Sequence, residues 1–190
     1  FQKGIFKLRW NMISKMMSIG LSPFFMNLTA CMVVIIITNS LTRYGGDVAV
    51  GAYGIINRFL FFFVMIVIGL MQGMQPIVGY NFGAKLYNRA FKALKLSIMF
   101  ATFISVIGFL LGEFFPDMIT SMFTTDKQLT EIAASGMRIM MMAVPLLGIQ
   151  VISTGFFQSI GYVKTAIFLS LLRQLILIIP ALLVFPLFFG

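Results

Sequence analysis

Charged residues leave long apolar intervals along this chain. None falls between Lys15 and Arg43, Arg58 and Lys85, Lys95 and Glu113, or Arg138 and Lys164, and from Lys164 onward only Arg173 interrupts. A helix that crosses the hydrocarbon core needs about 20 mostly apolar residues, so the intervals predict five spans, near 17–41, 49–75, 96–115, 138–161 and 165–188. Membrane barrel strands are about 10 residues long and alternate strictly. The run Phe59-Leu60-Phe61-Phe62-Phe63 does not alternate. The expected fold class is therefore an all-α, polytopic membrane bundle.

Composition narrows the function. The 190 residues are 60% hydrophobic and only 10% charged, with mean hydropathy +1.03. A soluble domain averages about 25% charged, and disorder requires low hydrophobicity with high charge, so both are excluded. The chain has no histidine and a single cysteine, Cys31, which removes the usual general base, internal disulfides and most metal sites. Neither an enzyme, a metal site nor a cofactor is expected.

The net charge of +9 reads as topology. The N-terminal flank carries Lys3, Lys7, Arg9 and Lys15, and the second loop carries Lys85, Arg89, Lys92 and Lys95 without an acid. The first loop pairs Arg43 with Asp47, and the third holds Glu113, Asp117, Asp126 and Glu131 against Lys127 and Arg138. The positive-inside rule then puts the N-terminus in the cytoplasm. Basic residues scattered over the flanks of hydrocarbon-length segments disfavour a nucleic-acid partner. Residues 1–16, with Phe1, Ile5, Leu8 and Met12 at helical spacing, suit an amphipathic segment on the inner leaflet or a linker, and 17–190 form the transmembrane unit. The chain starts at Phe1 and stops at Gly190 beside an apolar run, so it reads as one part of a larger bundle, with a further helix expected.

A few polar residues stand out inside the spans. Asn27 and Thr38 lie about 20° apart on a helix and suit either interhelical hydrogen bonding or a cavity wall. Val48 through Tyr80 would make about 50 Å of helix, beyond a ~30 Å hydrocarbon core, and Pro76 is expected to break it. Asn57 and Gln75 share a face five turns apart, with Gln72 about 60° away. Gly69 and Gly73 are spaced for close helix approach. Arg58 either faces a cavity or snorkels. Asn81 and Gly83 suit a turn, after which Lys85, Arg89 and Lys92 should form one basic stripe on a short helix against anionic lipid heads. The fourth span combines methionines with Gln150, Thr154 and Gln158, Asp126 suits an N-cap, and Pro180 should kink the fifth span. No carboxylate lies within the spans to form a proton or cation site.

The segment Gln72-Gly73-Met74-Gln75-Pro76-Ile77-Val78-Gly79-Tyr80-Asn81-Phe82-Gly83-Ala84-Lys85 resembles the multidrug and toxic compound extrusion (MATE) family. The likeness is to the long second helix of that family's C-terminal lobe and the turn after it. Gly45-Gly46-Asp47, Asn57-Arg58, Gly155 through Gly161, and Leu172-Arg173-Gln174 with Pro180 are similar to neighbouring helices of the family's bacterial exporters. The resemblance implies five helices of a six-helix C-terminal lobe, joined to an N-terminal lobe. It also implies alternating-access export of amphipathic or cationic drugs, coupled to Na⁺ or H⁺, from a bacterial inner membrane. Some members carry acidic cation ligands in this lobe; here those helices have none, so the coupling site is expected in the N-terminal lobe. The expected cavity residues are Asn27, Asn57, Gln72 and Gln150. Gln75, Pro76, Gly79, Asn81, Gly83, Ala84, Arg58 and Arg173 are expected to serve the motif structurally. The other readings are a flippase for lipid-linked oligosaccharides, which would want a strongly basic cavity, and a non-transporting scaffold.

Overall fold

The computed structural model describes residues 10–172. Arg173 and Pro180 lie outside the described residues, as does most of the expected 1–16 segment. The helical stretch Trp10–Gly83 is interrupted once, at Gly46 (φ 63°, ψ −163°). The arm before the break is α1, whose apolar part is Asn27–Arg43, and the arm after it is α2, Gly45–Gly83. There follow α3 (Tyr87–Phe114), the short α4 (Pro116–Ser121), α5 (Lys127–Met141), α6 (Val144–Ser159) and α7 (Val163–Leu172). Among the described residues, α2 and α3 are long and apolar enough to span a bilayer, and the bent pair α5–α6 makes a third span if counted as one. The apolar parts of α1 and α7 within the described residues are shorter.

Gly46 occupies backbone space that is essentially glycine-only, and it turns the chain back on itself. Ile37 and Leu41 of α1 pack against Ala49 of α2, while Ala30 and Phe61, about equally far from the break, line one cavity. The first two expected spans are thus a helical hairpin joined at a single residue, with almost no loop.

α2 is the organising element. Its buried positions Ile56, Phe63, Val67, Met74 and Val78 are 7% exposed or less and recur with an eleven-residue period, which keeps a stripe straight along an unsupercoiled helix. The distal half of that stripe packs with Ala90 and Ala101 of α3 and with Val151, Ile152 and Phe156 of α6. The half nearer Gly46 meets Ile119 of α4, Met137 and Met141 of α5, and Val144 and Leu147 of α6.

Several expectations need correction. Pro76 does not break α2, which continues to Gly83. Proline removes the bond to the carbonyl of Gln72, but both residues lie on the exposed face, where the local ladder can absorb the loss. The glycines that permit close approach are also different. Gly69 and Gly73 meet nothing within 4 Å, whereas Gly155 seats Met71, Gly112 seats Met141, and a Cβ at Gly148 would lie 2.9 Å from the Ala101 carbonyl oxygen.

The region expected as one fourth span is two helices bent by 51°. Pro145, in the first turn of α6, cannot continue the hydrogen-bond ladder from α5. Helix α5 starts well before the expected span, at the Asp126 N-cap, whose carboxylate accepts from the Gln128 and Leu129 backbone N–H groups. The expected third loop therefore contains both α4 and the start of α5.

Candidate functional site: an apolar cavity behind the helical hairpin

A cavity of about 280 Å³ lies between the hairpin and α5–α6. Its walls are Val33 and Ile37 of α1, Leu60 and Val64 of α2, Met140 of α5, and Leu147 and Val151 of α6, with others of the same character. Two lining residues carry hydrogen-bonding side chains, Tyr53 and Asn57, one turn apart on the same face of α2. A phenol and a carboxamide both donate and accept. The site thus offers a neutral polar handle in an apolar wall. Tyr53 and Phe61 add ring faces, which attract organic cations without a carboxylate.

The four expected cavity residues part company. Asn57 lines the cavity. Asn27 is exposed on α1, outside the lining, and Gln72 is exposed on the outer face of α2. Gln150 points the other way, its amide nitrogen donating to the Leu169 carbonyl and tying α6 to α7. Tyr53 was missed; its signal was the i, i+4 spacing to Asn57. The methionines divide too. Met137 and Met141 are fully buried packing residues, whereas Met140 lines the cavity.

The motif residues build the distal end of α2. Gln75 Nε2 donates to Gln158 Oε1 at 3.2 Å, bridging α2 and α6. At Gly79 a Cβ would sit 3.6 Å from the Ser159 carbonyl, an ordinary contact. Asn81 donates its amide to the Ile77 carbonyl at 2.8 Å, which serves the helix end. Gly83 and Ala84 are exposed there, and Arg58 is exposed beside Asn57, on the α2 surface away from the lining. The expected turn residue is displaced: the left-handed position belongs to Lys85 (φ 62°), not to Gly83. Among the described residues no group of three or more His, Cys, Asp and Glu side chains could hold a metal ion.

The MatE family profile matches residues 23–183. The chain belongs to the MatE family. It is 30% identical to the multidrug export protein MepA of Staphylococcus aureus (strain MSSA476) over 179 residues, which is 94% of this chain and 39% of that protein. MepA of Staphylococcus haemolyticus is 27% identical over the same coverage. The MATE multidrug transporter DinF-BH, solved in complex with a drug molecule, superposes with a TM-score of 0.78 at 38% identity, covering 95% of this chain and 40% of that one. The chain therefore spans about two-fifths of the length of these relatives, and the apolar helices are those of an integral membrane protein.

Proposed function

We propose that this chain is the C-terminal part of a cation-coupled multidrug efflux antiporter, and that the cavity behind the hairpin forms part of its path for amphipathic or cationic compounds. The observation that carries the reading is the lining itself: an apolar wall with Tyr53 and Asn57 as its neutral handles. Such a surface binds by area and by ring faces, so it favours flat, poorly hydrated cations over strongly hydrated anions. The MepA proteins named for multidrug export, and the drug complex of DinF-BH, support the same substrate class. A flippase for lipid-linked oligosaccharides would need cations facing the site, and among the described residues none lines this cavity.

In this reading a second, N-terminal lobe forms the opposite wall, and the two rock about the site. The coupling ion, Na⁺ or H⁺, binds in that other lobe. The N-terminal flank faces the cytoplasm of a bacterial inner membrane, and the ends of α2 and α6 lie on the same side.

The test is efflux of a cationic dye by the full-length protein in vesicles. Asn57→Ala and Tyr53→Phe should each reduce dye export or shift its substrate profile, while Gln72→Ala, off the lining, should not. Wild-type export by both cavity variants would remove the cavity from the path.

A further inference from the structure

Apart from the cavity, the elbow between α2 and α3 is the strongest chemical feature of the molecule. Its backbone closes a Schellman motif: the Leu86 N–H donates to Asn81 O at 2.8 Å and the Lys85 N–H to Phe82 O at 3.0 Å. The chain uses the same motif at the end of α6, where the Tyr162 N–H donates to Phe157 O and the Gly161 N–H to Gln158 O. There the left-handed residue is Gly161 (φ 83°); at the elbow it is Lys85 (φ 62°). The two turns share one hydrogen-bond pattern, and only one uses glycine.

Lys85 and Arg89 flank an open cleft of about 360 Å³, with Leu86, Tyr87 and Asn88 between them. Lys92 and Lys95 follow on the next turns of α3, all exposed. An edge-to-face ring pair, Phe82 against Tyr87 at 5.2 Å, holds the elbow. No carboxylate lies in sequence between Asp47 and Glu113. The acids gather at the opposite end of the bundle: Leu129 of α5 packs against Gly51, five residues from the Gly46 break, so the N-terminus of α5 with Asp126 sits beside Asp47.

A second pattern continues the first. Lys92, Leu96, Met99 and Phe103 fall within about 60° of one another on α3, and all four are exposed. From Lys92 to Phe103 is about 16 Å of helix, close to half of a ~30 Å hydrocarbon core. A cation cleft thus opens onto an apolar stripe one leaflet long.

We propose that the elbow is a binding site for an anionic phospholipid, with the phosphate held by Lys85 and Arg89 and assisted by Lys92, and an acyl chain lying along Leu96, Met99 and Phe103. The stripe favours a lipid over free phosphate, because a soluble anion has no use for it. Lys85 keeps a side chain at a position where glycine would relieve the backbone, and the cleft gives that side chain a task.

The test is native mass spectrometry of the full-length protein, released from detergent with phosphatidylglycerol or phosphatidylcholine. Wild type should retain phosphatidylglycerol in preference to phosphatidylcholine. The Lys85→Gln/Arg89→Gln double variant should lose about tenfold of that preference, and Lys85→Arg/Arg89→Lys should keep it. Lys164→Gln removes an exposed cation at the start of α7, outside the cleft, and should change the preference less than about twofold. Three results would overturn the proposal: an unchanged preference in the double variant, an equal loss in Lys164→Gln, which would mean diffuse charge only, or displacement of the lipid by excess inorganic phosphate.

Discussion

Lys85 shows how one residue can report on a use that its local fold does not require. An L-residue in left-handed space carries a strain of about 1–2 kcal/mol, and the Gly161 turn shows that this chain closes the same motif without it. Lys85→Gly should therefore leave thermal stability in detergent unchanged or raise it by up to about 1 kcal/mol, the relief being partly offset by the entropy of glycine in the unfolded chain. A clear loss of melting temperature would mean that the lysine side chain supports the fold itself. Gln75 and Gln158 make a different point. Their 3.2 Å bond is half-buried, so a double-mutant cycle with leucine at each should return a coupling of about 0.5–1.5 kcal/mol. A coupling near zero would place the bond among those replaced without cost in the membrane.

Two glycines matter for opposite reasons, and substitution separates them. Gly46 has nothing within 4 Å of a would-be Cβ but sits at φ 63° and ψ −163°, so Gly46→Ala should lose about 1–3 kcal/mol through backbone strain alone. Gly148 has helical geometry, but its Cβ would meet the Ala101 carbonyl, so Gly148→Ala should lose a similar about 1–3 kcal/mol by pushing α6 off α3. Gly54→Ala, helical and unobstructed, is the control and should be neutral or slightly stabilising. Thermal unfolding of the three variants in one detergent checks the set; a stable Gly46→Ala would show that the hairpin does not depend on this residue. The bend between α5 and α6 belongs to the same level of organisation. Pro145 was visible in the sequence as a proline inside an apolar interval, yet Pro76 was too. One marks a 51° bend and the other leaves its helix intact, because the ladder at Pro145 was free to end in a turn whereas α2 is held straight by packing along its buried stripe.

The whole bundle is polarised. Acids cluster by the Gly46 end and the exposed cations of α3 at the elbow, while the cavity opens between α1, α2 and α6. If that cavity lies on the export path, filling it should slow export without unfolding the lobe. Val34 is a suitable site, since it lines the cavity from α1 and is 42% exposed. Val34→Trp should cut dye efflux severalfold while the protein stays monodisperse; unaltered efflux would move the path elsewhere.

The helical class, the placement of the apolar segments, the Asp126 cap and the motif that marks the family were legible from order along the chain, because each depends on neighbours within a few turns. Asn57 was legible as a cavity residue because a carboxamide inside an apolar run must find a use. The partners of Gln150 and Gln72, the role of Tyr53, the idle Gly69–Gly73 pair and the left-handed Lys85 were decided by tertiary structure. The reason is physical. In water, apolarity tells the buried face of a helix from the exposed one; in a bilayer both faces are apolar, since lipid is as greasy as protein core. α2 carries Phe63 inside and Phe61 and Phe62 outside, and no hydropathy pattern distinguishes them. Only the packing of α3 and α6 against one side settles which face closes the bundle and which residues are left to line a cavity or meet a lipid.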